Sequence, residues 1–350
     1  MLHATRRLLT EPLHPLERGA AIELVSLRGG PEDAEALLPL LLDDPVAQGD
    51  LVDPVVRHGD RAIAERLFER FVANGRLLEG APDSLLWAFG WARLEQARPM
   101  LFNYACKPNW DSAPAAVDGL VHLSPDGMED RVRAAVGTCV GKALFAEYLP
   151  ALAGWIGDEE LVDRFLVDDG GPELPSTDCM AGVILGVGLL GQAGRQRLHD
   201  LFWADHYPMI WSDAPEASGR AMRMTGLGVA ELAAELRTRL AAPEEAPPHW
   251  WFVLVKVMAE HQIATHAEPP LWRFLPPPEA PLDLHRALFG PNDSWDEGLD
   301  HHAFHRLEQD GGWLQHEIHS LRRPIEDLIA RDALVAELDA YSGSTTTAVP

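Results

Sequence analysis

The sequence predicts an all-α protein, an α-α superhelix of about six to seven helix pairs followed by a C-terminal helical capping region. Three observations predict it. Turns that start a helix recur at nearly constant spacing. The stretches between them repeat apolar residues every three or four positions. One turn is written almost identically twice, as "NWDSAPAAVDG" (Asn109–Gly119) and "IWSDAPEASGR" (Ile210–Arg220).

The helix starts fall at Asp60, Glu95, Asp126, Asp158 and Gln192, which are 35, 31, 32 and 34 residues apart. A unit that recurs at such a period must stack on its neighbours, because alone it cannot bury its apolar stripe. Weaker copies at Leu27–Leu42 and Thr225–Leu240 extend the array to residues 27–241. In the first helix of a unit the stripe is Ile63, Leu67, Phe68 and Phe71, or Leu198, Leu201 and Phe202. The second helix opens on a cap signal, in "PDSLLWAFGWARL", "WDSAPAAVDGLVHL", "PSTDCMAGVILGVGLL" and "SDAPEASGRAMRMTG". Asp and Ser accept the free N–H groups of a first helical turn, and Pro suits its first positions. These second helices are rich in Gly and Ala, which lets neighbours approach closely at roughly 1 kcal/mol per Gly in helix propensity. The duplicated turn is then one joint seen three periods apart, and Trp110 and Trp211 are expected to pack between units.

Within this frame "EDRVRAAVGTCVG" (Glu129–Gly141) resembles HEAT-like repeats, including the phycobilisome-lyase type. Asp130, Val132, Arg133, Ala134 and Ala135 carry the likeness, and "IGDEELVDRFL" is similar to the first helix of such a repeat. The resemblance spans residues 27–241. It implies a curved HEAT-like solenoid whose second helices line a concave face that grips a partner, and it implies nothing about chemistry.

Either side of the array the pattern changes. Residues 1–26 read as an N-terminal helical cap without the apolar core of a signal peptide, and no run of 18 apolar residues occurs anywhere. Residues 242–340 read as a helical region with Pro-rich loops. "WWFVLVKVMAEHQIATH" is an apolar helix candidate, whereas "EPPLWRFLPPPEAPLDL", with six prolines, cannot be a continuous helix. A last helix at about Pro324–Tyr341 is expected to cap the array, and residues 341–350 read as a disordered tail.

Net charge is −25, spread as −7, −9 and −9 over residues 1–150, 151–245 and 246–350. With no basic segment, nucleic acid and anionic membrane surfaces are disfavoured as partners, while a basic protein is electrostatically allowed. Three separated cysteines form neither a CxxC nor a disulfide framework, which fits a reducing cytoplasm. Arginine outnumbers lysine 26 to 3, the codon signature of a GC-rich bacterium.

Candidate chemistry is sparse, and no catalytic set stands out. "LDHHAFHRLEQDGGWLQHEIHSLRR" (Leu299–Arg323) holds five of the fifteen histidines. His301 and His305 share a helical face with Glu308. His316 and His319 follow the Gly311-Gly312 break, so two helices folding back could gather all five groups around Zn or Fe. The other reading is a polar helix pair with hydrogen-bonded histidines. "STDC" (Ser176–Cys179) is either a helix cap or a thiol activated at a helix N-terminus. Gly188, Gly191 and Gly194 follow no strand, so a dinucleotide site is not supported. HEAT-like DNA alkyl-base glycosylases use Trp and Asp on a basic concave face. Trp87 and Trp91 share a face with Asp83 upstream, but the acidity of the chain argues against DNA.

The leading expectation is a non-catalytic scaffold of adaptor or immunity type. It would hold a protein partner, a basic one fitting the charge, on the concave face, with Asp83, Trp87, Trp91 and Asp178 as contacts and no cofactor. The alternative is an enzyme that tailors a small molecule or peptide with Zn or Fe at the His301–His319 cluster. A lyase or chaperone role rests on fold analogy alone.

Overall fold

Of the five expected helix starts, Asp60 and Asp158 are N-caps in the computed structural model, and the other three lie three residues before a helix begins. The structure describes residues 1–107, 112–166, 179–203, 214–228, 231, 232, 235, 333–338 and 340. Asp60 is an N-cap whose carboxylate accepts the Ile63 N–H at 3.0 Å, and Asp158 takes the Leu161 N–H in the same way at 3.0 Å. Glu95 and Gln192 lie in short 3-10 turns that run into helices beginning at Arg98 and Arg195. Asp126 lies in the turn before Glu129.

The protein is mostly helical, with fourteen bounded α-helices among the described residues. They fall into two compact units. The first holds residues 1–124 together with 333–338 and 340. Its helices are α1 (His3–Thr10), α2 (Pro15–Arg28), α3 (Pro31–Asp43), α4 (Val52–His58), α5 (Arg61–Phe71), α6 (Ser84–Trp91), α7 (Arg98–Ala105) and α8 (Ser112–Leu120). The second begins at Pro125 and holds α9 (Glu129–Gly137), α10 (Ala151–Trp155), α11 (Glu159–Asp163), α12 (Met180–Leu189), α13 (Arg195–Phe202) and α14 (Ala214–Thr225).

In both units many helices pack on the one two places ahead. α2, α4, α6 and α8 form one series and α1, α3 and α5 another, and α10, α12 and α14 form a series in the second unit. Hydrogen bonds join positions about one period apart. Arg18 Nη2 reaches Asp50 at 2.7 Å, the His58 ring meets the Ser26 carbonyl at 2.8 Å, and Gln192 Nε2 donates to the Thr225 carbonyl at 3.1 Å.

Glycine sets how close the second helices come. A Cβ on Gly90 would lie 1.9 Å from the Gly119 carbonyl oxygen, so α6 and α8 touch backbone to backbone. One on Gly154 would lie 2.0 Å from the Gly186 oxygen, which does the same for α10 and α12. Helices this close leave no free face. Leu85–Trp91 of α6, all of α10 and Met180–Gly188 of α12 are buried on every side. A helix that is apolar all round belongs in an interior.

The joints that follow these helices repeat as well. Leu94 N donates to the Phe89 carbonyl at 2.9 Å and Arg93 N to Gly90 at 2.8 Å. The same pair of bonds recurs at Asp158/Ala153 and Gly157/Gly154, and at Leu227/Met222 and Gly226/Arg223. Each is a Schellman cap, which needs a residue of positive φ. Gly157 (69°) and Gly226 (70°) supply it freely, whereas the first joint uses Arg93 at 55°.

Two features differ from the expectation. A two-stranded antiparallel hairpin, β1 (Val72–Ala73) and β2 (Arg76–Leu77), interrupts the all-α pattern. Its turn is Asn74-Gly75, both residues with positive φ, the combination a tight hairpin turn requires. Asp83 does not cap α6 with its side chain. Its own backbone is helical, and the first N–H groups bond instead to the Pro82 and Asp83 carbonyls. Residues 333–338 are helical, with Val335 and Leu338 buried, and they belong to the first unit.

Candidate functional site

The side chains that the sequence singles out on α6 meet a charged pair from α4 and a ring that follows α8. Trp87 and Trp91 lie one helical turn apart, edge to face, with ring centres 6.1 Å apart. The Arg57 guanidinium stands 5.3 Å over the Trp91 ring. Asp53, one turn earlier on α4, holds it with bonds of 2.8 and 3.2 Å. His122 meets Trp91 from another side at 5.3 Å. The approach of Gly90 to Gly119 is what brings the end of α8 near enough for this contact.

A cation over a desolvated indole is worth about 2 kcal/mol, and a guanidinium forked onto a carboxylate is fixed in direction. The cluster is therefore a rigid anchor of alternating charge and ring. It supplies orientation.

Trp87 is only 9% exposed and Trp91 6%, so both indoles are core residues of the first unit. Asp83 is half-buried at the start of α6. Asp178, Trp110, Trp211 and the predicted metal set His301, His305, Glu308, His316 and His319 lie outside the described residues. Among the described residues no group of three or more His, Cys, Asp or Glu side chains is placed to hold a metal. Cys179, the last residue of "STDC", is buried, and its thiol donates toward the Phe145 carbonyl at 3.7 Å. That favours a packed thiol over an exposed nucleophile.

Charged pairs also link elements of the second unit. Arg133, from the segment with the HEAT-like motif, bonds Asp158 at 2.7 Å. This bond, opposed by burial and aided by the Leu161 N–H, holds the Asp158 carboxyl below the usual carboxylate range. Arg197 forks onto Asp163 at 2.6 and 2.9 Å and reaches Glu159 at 2.9 Å, which lowers the Asp163 carboxyl in turn. His199 meets Glu235 at 2.7 Å and Asp200 at 3.3 Å. Burial opposes its proton, but the two carboxylates outweigh burial and push its pKa up.

Sequence reasoning misses Arg57, Asp53 and His122. Asp53 and Arg57 are a readable i, i+4 pair, but nothing local says that Trp91 lies beneath them. It also misses the polar interior of α14, where Ser218, Arg220 and Thr225 are buried and burial pushes Arg223 down to about 10.

Compared with known proteins, the chain matches no family model, no curated protein and no solved structure. The HEAT-like likeness thus rests on the motif and the period alone.

Proposed function

We propose that the paired helices are a degenerate HEAT-like superhelix and that the protein is a non-catalytic scaffold for a protein partner of basic charge. The observation that carries this reading is the stacking of alternate helices at a spacing of one repeat, with glycine-to-backbone contacts along the second helices. Stacks of this kind offer extended surfaces. The charge of −25 selects a cationic partner and speeds its encounter. Because α6 is enclosed, the partner meets the end of this helix rather than its flank, and Asp83, at its start, is the described residue of the expected contact set that solvent reaches.

Co-purification with the tagged full-length chain, wild type and Asp83→Lys, tests the reading. A stoichiometric protein released by salt and weakened by Asp83→Lys supports it. A chain that binds no protein but carries stoichiometric Zn or Fe, lost in His301→Ala/His305→Ala, refutes it in favour of the tailoring enzyme.

A further inference from the structure

Among the described residues five large apolar side chains are exposed, and three of them stand on loops that join the first helix of a pair to the second. Val46 follows α3 and is 77% exposed, Leu78 follows the hairpin and is 42% exposed, and Leu144 follows α9 and is 72% exposed. They stand 32 and 66 residues apart, one and two periods. Single exposed apolar residues need no explanation, but one that recurs at the same joint does. The first two lie on touching loops of the first unit. A Cβ on Gly80 would lie 3.4 Å from Val46 Cγ2, and one on Gly49 would lie 3.2 Å from Pro82 Cγ.

Both loops are held. Asp44 Oδ1 accepts the Ala47 N–H at 3.0 Å, Leu78 N donates to the Phe71 carbonyl at 2.8 Å, and Ala81 N donates to the Leu78 carbonyl at 3.1 Å. Exposure here is a property of formed turns, not of frayed ends. The surroundings are acidic. Asp43, Asp44 and Glu79 are exposed and Asp83 half so, while Arg76 is the one basic residue in the stretches 43–56 and 72–83. Asp50 is already matched by Arg18.

We propose that this loop edge of the first unit, with Val46 and Leu78 as apolar anchors and Asp43, Glu79 and Asp83 as charged flanks, docks a cationic amphipathic helix of the partner. Such a helix presents apolar residues at i and i+4 between lysines or arginines. The anchors bury the former, and the carboxylates orient the latter. The inference rests on the scaffold reading and adds to it a surface and a ligand chemistry.

The test uses the full-length chain and a labelled amphipathic peptide of leucine and lysine, about 18 residues or five turns long, followed by fluorescence anisotropy. The wild type is expected to bind it. Val46→Asp/Leu78→Asp weakens binding at least about tenfold with unchanged circular dichroism, as does Glu79→Lys/Asp83→Lys. A leucine/glutamate peptide does not bind. Equal binding to the Val46→Asp/Leu78→Asp variant, or equal binding of a lysine/serine peptide without apolar residues, overturns the proposal. So does a wild-type dimer that the Val46→Asp/Leu78→Asp variant dissolves and the peptide leaves intact, because the edge is then a self-contact. If that variant still co-purifies the partner, the loop edge is wrong and the scaffold reading survives.

Discussion

Gly90→Ala is the substitution whose consequence is most directly written in the backbone. The new methyl group would sit 1.9 Å from the Gly119 carbonyl oxygen and 2.4 Å from its Cα. Neither atom can swing aside as a side-chain tip can, so α6 and α8 must part by roughly 1 Å before the contact reaches the ~3 Å that real methyl groups tolerate. A gap of that size forfeits a quarter to a half of the dispersion between the facing side chains, and overpacking of this kind costs about 1–3 kcal/mol, occasionally more. A backbone obstacle puts Gly90 at the upper end. Alanine returns about 1 kcal/mol in helix propensity, so the net loss is about 2 kcal/mol. At about 2–4 °C per kcal/mol for a domain of this size, the midpoint of thermal unfolding falls by ~4–8 °C. Gly19→Ala is the internal control. It lies inside α2 with nothing within 4 Å of the new methyl, so the same substitution should stabilise by ~0.5–1 kcal/mol. Thermal and urea unfolding followed by circular dichroism reads both variants. A Gly90→Ala chain as stable as wild type would refute the close helix contact and with it the enclosure of α6.

Arg93→Gly should stabilise the first unit by up to about 1 kcal/mol, read as a raised urea midpoint. It relieves a positive φ at a Schellman cap where the equivalent joints use glycine, against the greater backbone freedom of glycine in the unfolded chain. Asp158→Ala removes both the cap on Leu161 and the Arg133 bond, and should cost on the order of 1 kcal/mol or more. The Asp158 and Asp163 carboxyls titrate below their ordinary value in the folded state. Their contribution is therefore complete above the unfolded carboxylate range near pH 4 and disappears as pH falls through the lowered folded values, so unfolding scans below that pH should show a loss that Asp158→Ala reduces. His199 has the opposite sign. Its raised pKa stabilises fully below the unfolded value near 6.5 and less as pH rises through the folded one, so Glu235→Gln should lower the His199 midpoint in an NMR titration.

Local features were legible because they depend on a few neighbouring residues. The Gly-Asp pairs at Asp60 and Asp158, each before an apolar stripe, cap their helices as a local signal should. The Asn74-Gly75 hairpin signal was equally local. Its strands, only two residues long, lie below any periodicity, so it passed unnoticed between two helices.

The sequence by itself determined that this chain is mostly helical and where helices such as those capped by Asp60 and Asp158 begin, since caps, stripes and turn residues act within one or two turns of chain. Only the tertiary structure decided which glycines face each other, that the α6 indoles lie inside beneath Arg57, and that residues 333–338 join the first unit. Those outcomes depend on groups about 30 to more than 200 residues apart. A glycine or a tryptophan reads the same whether its neighbour is solvent or another backbone. Distance across the fold, which no local pattern encodes, settles which it is.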